Sequence, residues 1–189
     1  MNNIDIYFLF WNIGMRFKKI LNFFGMYAGR KAITFYAEVH KSPANIFIHK
    51  TLMPFAAYYY LLGTPALLKM SYEKAMILRN SIYITLLTHY AKDIHFFKTL
   101  KMLPIYLPIL YYANINYKNT TEMAKSALSK ACAIMFFAEV VGHTLFEKIQ
   151  SRPRAVLNAI LYAHYFSING EKFNNFKQIE MKKMDFNIQ

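Results

Sequence analysis

Two stretches of this chain, His40-Lys-Ser-Pro-Ala-Asn45-Ile-Phe-Ile-His49 and Glu139-Val-Val-Gly142-His143-Thr-Leu-Phe-Glu147, set histidine and carboxylate beside long apolar runs. Such groups are costly to bury without a partner, and the partners on offer are a metal ion, a proton pathway or one another. Asn45 and His49 are four residues apart and share a helix face, while His40 precedes a Ser42-Pro43 break and can turn back toward it. An unbroken helix would instead set His40 and His49 about 180° apart. Glu139, His143 and Glu147 recur every four residues and form one stripe. Gly142 weakens that helix, which implies close approach of another backbone or a ligand. Imidazoles of His40, His49 and His143 with carboxylates in reach suit Fe²⁺ or Zn²⁺, with open positions for water, dioxygen or substrate. The same spacing equally fits histidines that hydrogen-bond across helices, and an acidic stripe paired with Arg152 or Arg154.

The elements that must position these groups read as helices throughout. Ser42 is a favoured N-cap and Pro43 is tolerated in the first helical turn, so a helix starts there. The apolar stretch Ile46 to Leu68 has the roughly 20 residues a bilayer crossing needs and is the clearest spanning candidate. Ile77 to Tyr90 and Leu100 to Ala113 are shorter, the second interrupted by Pro104 and Pro108, and together suggest a bent hairpin. A polar loop over Asn114 to Lys125, with Thr121 as a cap, leads into a helix from Ala124 to about Ile149 that carries the second motif. Pro153 begins a further helix that ends at Asn169-Gly170. His89 and His95 flank a polar turn around Lys92-Asp93 and are expected at the surface or interface; His164 is expected to be structural.

The fold expected is all-α: a polytopic membrane protein of four or five embedded helices. Residues 1–34 form an interfacial basic and aromatic arm, 35–170 the embedded domain and 171–189 a polar tail. Composition agrees, since 56% of the 189 residues are hydrophobic and only 17% charged. The net charge of +13 comes from basic residues such as Arg16, Lys18, Lys19, Arg30 and Lys31 that flank apolar segments. That placement suits anionic lipid headgroups and disfavours nucleic acid, which needs a basic polar face. The N-terminus lacks the order of a cleaved secretory signal, since its positive charges follow the apolar Ile6–Ile13 stretch. Met15–Thr34 is basic and acid-free, which fits an interfacial amphipathic helix or a mitochondrial presequence. With Cys132 as the single cysteine, no intramolecular disulfide or Cys-rich metal site can form. There is no G-x-S-x-G elbow and no phosphate-binding glycine loop.

The motif His40-x4-Asn45-x3-His49, preceded by Tyr36 and followed by Pro54, resembles the opening motif of the 2-hydroxy fatty acid dioxygenase family of phytosphingosine and fatty acid α-oxidation. Gly142-His143-Thr-Leu-Phe146-Glu147-Lys148, then Arg152-Pro153 and Tyr165-Phe166, resembles its second motif, and the likeness spans about Phe35 to Glu171. The resemblance implies a small multispanning protein of the endoplasmic reticulum that uses Fe²⁺ and dioxygen to shorten 2-hydroxy fatty acids by one carbon. It further implies His40, His49 and His143 as iron ligands, Asn45 as orienter of a ligand or bound oxygen, and Glu147 as the partner that holds an imidazole tautomer. The chain departs from the family pattern at Glu139, where Gln is common, at Leu52, at His164 and in two extra residues before Pro153. A carboxylate one turn from His143 would tighten metal binding or mark a site put to other use. The alternative expectation is a non-catalytic subunit of a larger complex, in the mitochondrial inner membrane; an acyl-lipid carrier without redox chemistry is a third.

Overall fold

A computed structural model describes residue 16 and residues 19–23, 29–38, 40–147, 162–166 and 168–169. Most of the expected N-terminal arm, the start of the helix at Pro153, Arg152, Arg154 and the tail from Glu171 lie outside the described residues. The fold is all-α, with no strand among the described residues. In chain order the elements are α1 (Arg30–Glu38), α2 (Pro43–Leu67), α3 (Tyr72–Tyr90), the π-helical π1 (Ala91–His95), α4 (Phe96–Leu100), α5 (Leu103–Ile115), α6 (Thr121–Phe136) and the π-helical π2 (Phe137–Glu147).

Local chemistry sets most of the boundaries. Pro43 opens α2 after an extended Ser42, as expected, although the Ser42 hydroxyl makes no capping bond. At the other end of α2, Lys69 adopts a left-handed φ of 51°. Its N–H donates to Ala66 O at 3.1 Å and that of Met70 to Pro65 O at 3.0 Å, which is a Schellman closure with lysine in the position glycine usually takes. Ser71 caps α3 by accepting from Lys74 N at 3.4 Å. Thr120, not Thr121, caps α6, accepting from Met123 N at 3.1 Å; Thr120 has the extended backbone a cap requires, whereas Thr121 is already helical. The helix therefore starts three residues before the expected Ala124. Pro104 sits in the first turn of α5, where its missing N–H costs nothing, and only Pro108 interrupts the helix.

Helices α2 and α6 form the most extensive interface, and α2 also packs on α5 and π2. Close approach is possible because Ala124, Ala127 and Ala131 make a buried stripe on α6. A Cβ added at Gly63 would lie only 2.7 Å from Leu128 Cγ. Around this axis, Leu62, Ala66, Ala75, Ala113 and Tyr117 complete one core cluster. A second joins Ala32, Ile33 and Leu21 to Tyr83, Tyr90, Tyr106, Tyr162 and Tyr165, so residues N-terminal to the expected 34/35 boundary are part of the core. In that cluster His89 is buried, its Nε2 2.8 Å from the Tyr162 hydroxyl, which also accepts from Gly29 N at 3.0 Å. The surface position expected for His89 is thus corrected: α3 runs on into π1 where a polar turn was anticipated, and this keeps His89 facing inward. His95 is exposed, and His164 contacts the Tyr106 hydroxyl through Nδ1.

Among the described residues one continuous helical stretch, Thr121–Glu147, is long and apolar enough to cross a membrane, with a mean hydropathy of 1.3 over an 18-residue window. Helix α2 has the length but not the hydropathy, since His49, Lys50 and Tyr58 to Tyr60 interrupt its apolar character. Large apolar side chains including Phe47, Phe55, Ile77, Leu107, Tyr111, Phe136 and Leu145 are exposed.

Arg79, in α3, is fully buried, and the structure explains why. Pro65 cannot donate to the carbonyl of Leu61, and Arg79 Nη1 supplies a donor there at 3.5 Å. Its Nε donates to Asn114 Oδ1 at 2.8 Å and its guanidinium carbon lies 4.6 Å from the centre of the Tyr117 ring. Arg79→Leu should leave two partly buried acceptors unmet and lower stability by about 1–3 kcal/mol. Adding Asn114→Leu should cost less than the sum of the two changes. Thermal unfolding of the three variants in one detergent checks this; strict additivity would refute the coupling.

Candidate metal centre

The site is assembled where the end of α1, the start of α2 and π2 meet. His40 follows α1, and its Nδ1 lies 2.6 Å from the carbonyl oxygen of Tyr36, one turn earlier. His49 lies in the second turn of α2 with its Nδ1 3.0 Å from the carbonyl oxygen of Asn45, again one turn earlier. A carbonyl only accepts, so both Nδ1 atoms carry the hydrogen, and in the uncharged form of either ring Nε2 presents a lone pair. Those two Nε2 atoms face one another at 3.4 Å. Lone pairs so placed repel unless a proton or cation lies between them.

His143, from π2, completes the group. Donor atoms of His40, His49 and His143 all lie within 4.8 Å of one another, and all three rings are buried. Neither ring nitrogen of His143 makes a hydrogen bond. The rings are held at steep angles, with His40 against His49 at 90° and against His143 at 77°. Tyr36 stacks on His40 at 3.7 Å, and Phe166 closes against both rings. Burial, reinforced by the neighbouring His49 and His143, pushes the His40 imidazole well below its usual range against the opposing pull of the Tyr36 carbonyl. His40 is therefore neutral at pH 7 and ready to donate its lone pair. The chemistry of the donor set, with its facing lone pairs and hydrogen-bond-free third imidazole, fits a divalent cation such as Fe²⁺ or Zn²⁺.

The residues expected around the ligands take distinct places. Glu147 Oε1 accepts from Lys41 N at 2.7 Å, Ser42 N at 2.7 Å and Asn45 Nδ2 at 3.2 Å. Its carboxylate thus holds the turn that opens α2, at the positive end of that helix. The tautomers of His40 and His49 are fixed instead by main-chain carbonyls, so the role anticipated for Glu147 passes to Tyr36 and Asn45. Asn45 is fully buried and its Oδ1 makes no hydrogen bond. The close approach expected at Gly142 is real but comes from a side chain: an added Cβ would overlap Asn45 Oδ1 and lie 3.3 Å from His49 Cε1.

Two participants were not on the expected ligand list. Glu139, buried in π2, sets Oε1 3.4 Å from His49 Nε2 and Oε2 3.5 Å from His143 Nε2. Its place on the Glu139–His143–Glu147 stripe was the available signal. Tyr36 supplies both the carbonyl and the stacking ring for His40, and its position four residues before that histidine was the clue. The second motif is π-helical from Phe137 onward, not α-helical as expected. Such i→i+5 segments are rare and recur at functional sites, and no residue type in this stretch announces one.

No known protein family, curated protein or solved structure matches this chain.

Gly142→Ala should force Asn45 or π2 to shift, costing about 1–3 kcal/mol and weakening metal binding. Unfolding and iron titration of this variant check the prediction; wild-type behaviour in both would show that the site is looser than its contacts.

Proposed function

We propose that the chain is a membrane-embedded, Fe²⁺-dependent dioxygenase of 2-hydroxy fatty acids, with its further helices also embedded and its location the endoplasmic reticulum. The observation that carries this reading is the convergence of His40, His49 and His143, drawn from motifs about a hundred residues apart, on one buried point. The likeness of those motifs to the 2-hydroxy fatty acid dioxygenase family supplies the substrate class. Exposed apolar side chains on α2, α3, α5 and π2 support lipid contact, and one helix has the length and hydropathy to cross a bilayer.

The overall change would be R–CH(OH)–CO₂H + O₂ → R–CO₂H + CO₂ + H₂O. The bond between the first two carbons breaks, and four electrons pass from the hydroxy acid to dioxygen with no other reductant. Iron, when bound, supplies a route for those electrons and a Lewis acid for the substrate's hydroxyl and carboxylate. His40, His49 and His143 hold it. Asn45 Oδ1, buried and without a donor, accepts a hydrogen bond from the substrate hydroxyl and so orients it. Glu147 is a positioning residue that fixes the turn between His40 and Asn45. The apolar core residues Met53, Ala56 and Met135, beside Tyr36 and Phe166, keep bulk water from the imidazoles.

The second reading is a non-catalytic subunit of a larger complex, in the mitochondrial inner membrane; what favours the lack of catalysis is that the Glu139 carboxylate can ion-pair with two of the three imidazoles in place of a metal. Elemental analysis after anaerobic Fe²⁺ loading separates the two. For the enzyme, wild-type protein should hold close to one iron per chain and convert a 2-hydroxy fatty acid to the acid one carbon shorter. His143→Ala should lose both while remaining folded. Iron without turnover would favour the subunit, and turnover that survives each single His→Ala change would overturn the mechanism.

A further inference from the structure

The geometry points to Glu139 as a fourth protein ligand of the metal centre, giving a His₃–carboxylate donor set of His40, His49, His143 and Glu139. This inference rests on the metal-binding reading above and adds a residue that reading does not require.

Three separations carry it. His40 Nε2 to His49 Nε2 is 3.4 Å, His49 Nε2 to Glu139 Oε1 is 3.4 Å and His143 Nε2 to Glu139 Oε2 is 3.5 Å. Donors about 2.1 Å from a common centre stand about 3.0 Å apart as octahedral neighbours and about 3.4 Å apart at the corners of a tetrahedron. The three separations fall at or just above that range and are long for hydrogen bonds; the imidazole donors as a set span up to 4.8 Å and would draw in around an ion.

The state of the nitrogens gives a second argument. With Nδ1–H of His49 donated to Asn45 O, a neutral His49 has no hydrogen on Nε2 to give Glu139. A carboxylate oxygen facing that lone pair is held there only by a shared cation, which is either a proton on an imidazolium or a metal ion. Charge gives a third. A divalent ion among three neutral imidazoles buries two positive charges, and a carboxylate in the same shell halves that excess. Position on π2 makes the arrangement possible, since Glu139 and His143 are one turn apart and both are buried toward α2.

The test compares wild type with Glu139→Gln, which keeps the shape and removes the charge and one oxygen donor. Anaerobic Fe²⁺ titration reads affinity, the visible absorption of the Co²⁺-loaded protein reads coordination, and far-UV circular dichroism reads the fold. Glu139→Gln should weaken Fe²⁺ binding by roughly 10–100-fold and alter the Co²⁺ spectrum. A weakened affinity with an unchanged spectrum would reduce Glu139 to a neighbouring charge and overturn the ligand assignment, as would no change in either. If the amide unfolds the protein, Glu139→His offers nitrogen at the same corner and should keep the metal with a shifted spectrum; an unshifted one overturns the proposal. Wild-type protein that takes up neither metal would instead defeat the metal-centre reading itself.

Discussion

The contact on which the site depends is the seating of the Glu147 carboxylate against the N-terminus of α2. Pro43 brings no N–H to that first turn, and the Ser42 hydroxyl does not cap it. The main-chain donors of Lys41 and Ser42 turn to an oxygen supplied from more than a hundred residues downstream. A charge-assisted bond of this kind is stronger than a neutral one, and the helix dipole adds to it. Because the same oxygen accepts from Asn45, one carboxylate fixes π2, the turn after His40 and the first turn of α2 together. His40, His49 and His143 are then brought into register without any of them making that bond.

Around this clamp the packing leaves little slack. Asn45 fills the space that a side chain at Gly142 would occupy, and its carbonyl holds His49. Tyr36 holds His40 by the same i−4 carbonyl device and braces it with its ring. Repeating that device on two helices aims two Nε2 lone pairs at one point, an arrangement that is unfavourable by itself. Residues are fixed in such unfavourable poses when the surrounding structure over-determines them and something else uses the result. Glu139 and the three imidazoles, gathered inside an apolar shell of Met53, Ala56, Ala138 and Phe166, form a donor cluster close enough to hold a metal ion.

Much of this was legible in the residues. The Ser42-Pro43 break, the two histidine motifs and the predominance of helix follow from capping chemistry, spacing and composition. Gly142 signalled a close contact, although its partner could not be named from one sequence. What escaped notice depended on the third dimension. The π-helical turn of the second motif has no compositional mark. Thr120 and Thr121 are chemically equivalent caps until the backbone chooses. His89 sits beside charged residues in sequence yet faces a tyrosine cluster, because α3 continues into π1 with its inward face unbroken. Arg79 gave no hint of its role until Pro65, on another helix, was seen to leave Leu61 O without a donor.

Hydropathy alone marks Thr121–Glu147 as a span, and that is the segment whose far end carries Glu139, His143 and Glu147. A crossing helix that ends in acids and an imidazole exposes an electrostatic problem to the bilayer unless those groups turn inward. Here Glu139 and His143 are buried toward α2, while Phe136, Phe137, Val140 and Leu145 form the exposed side. The wider turn of the π-helix separates these two sets of side chains over a stretch of only 11 residues. Apolar exterior and buried polar groups thus stand on opposite sides of the π-helical segment. A change that restored α-helical register there would shift the exposed apolar side chains and the Glu139–His143 pair together.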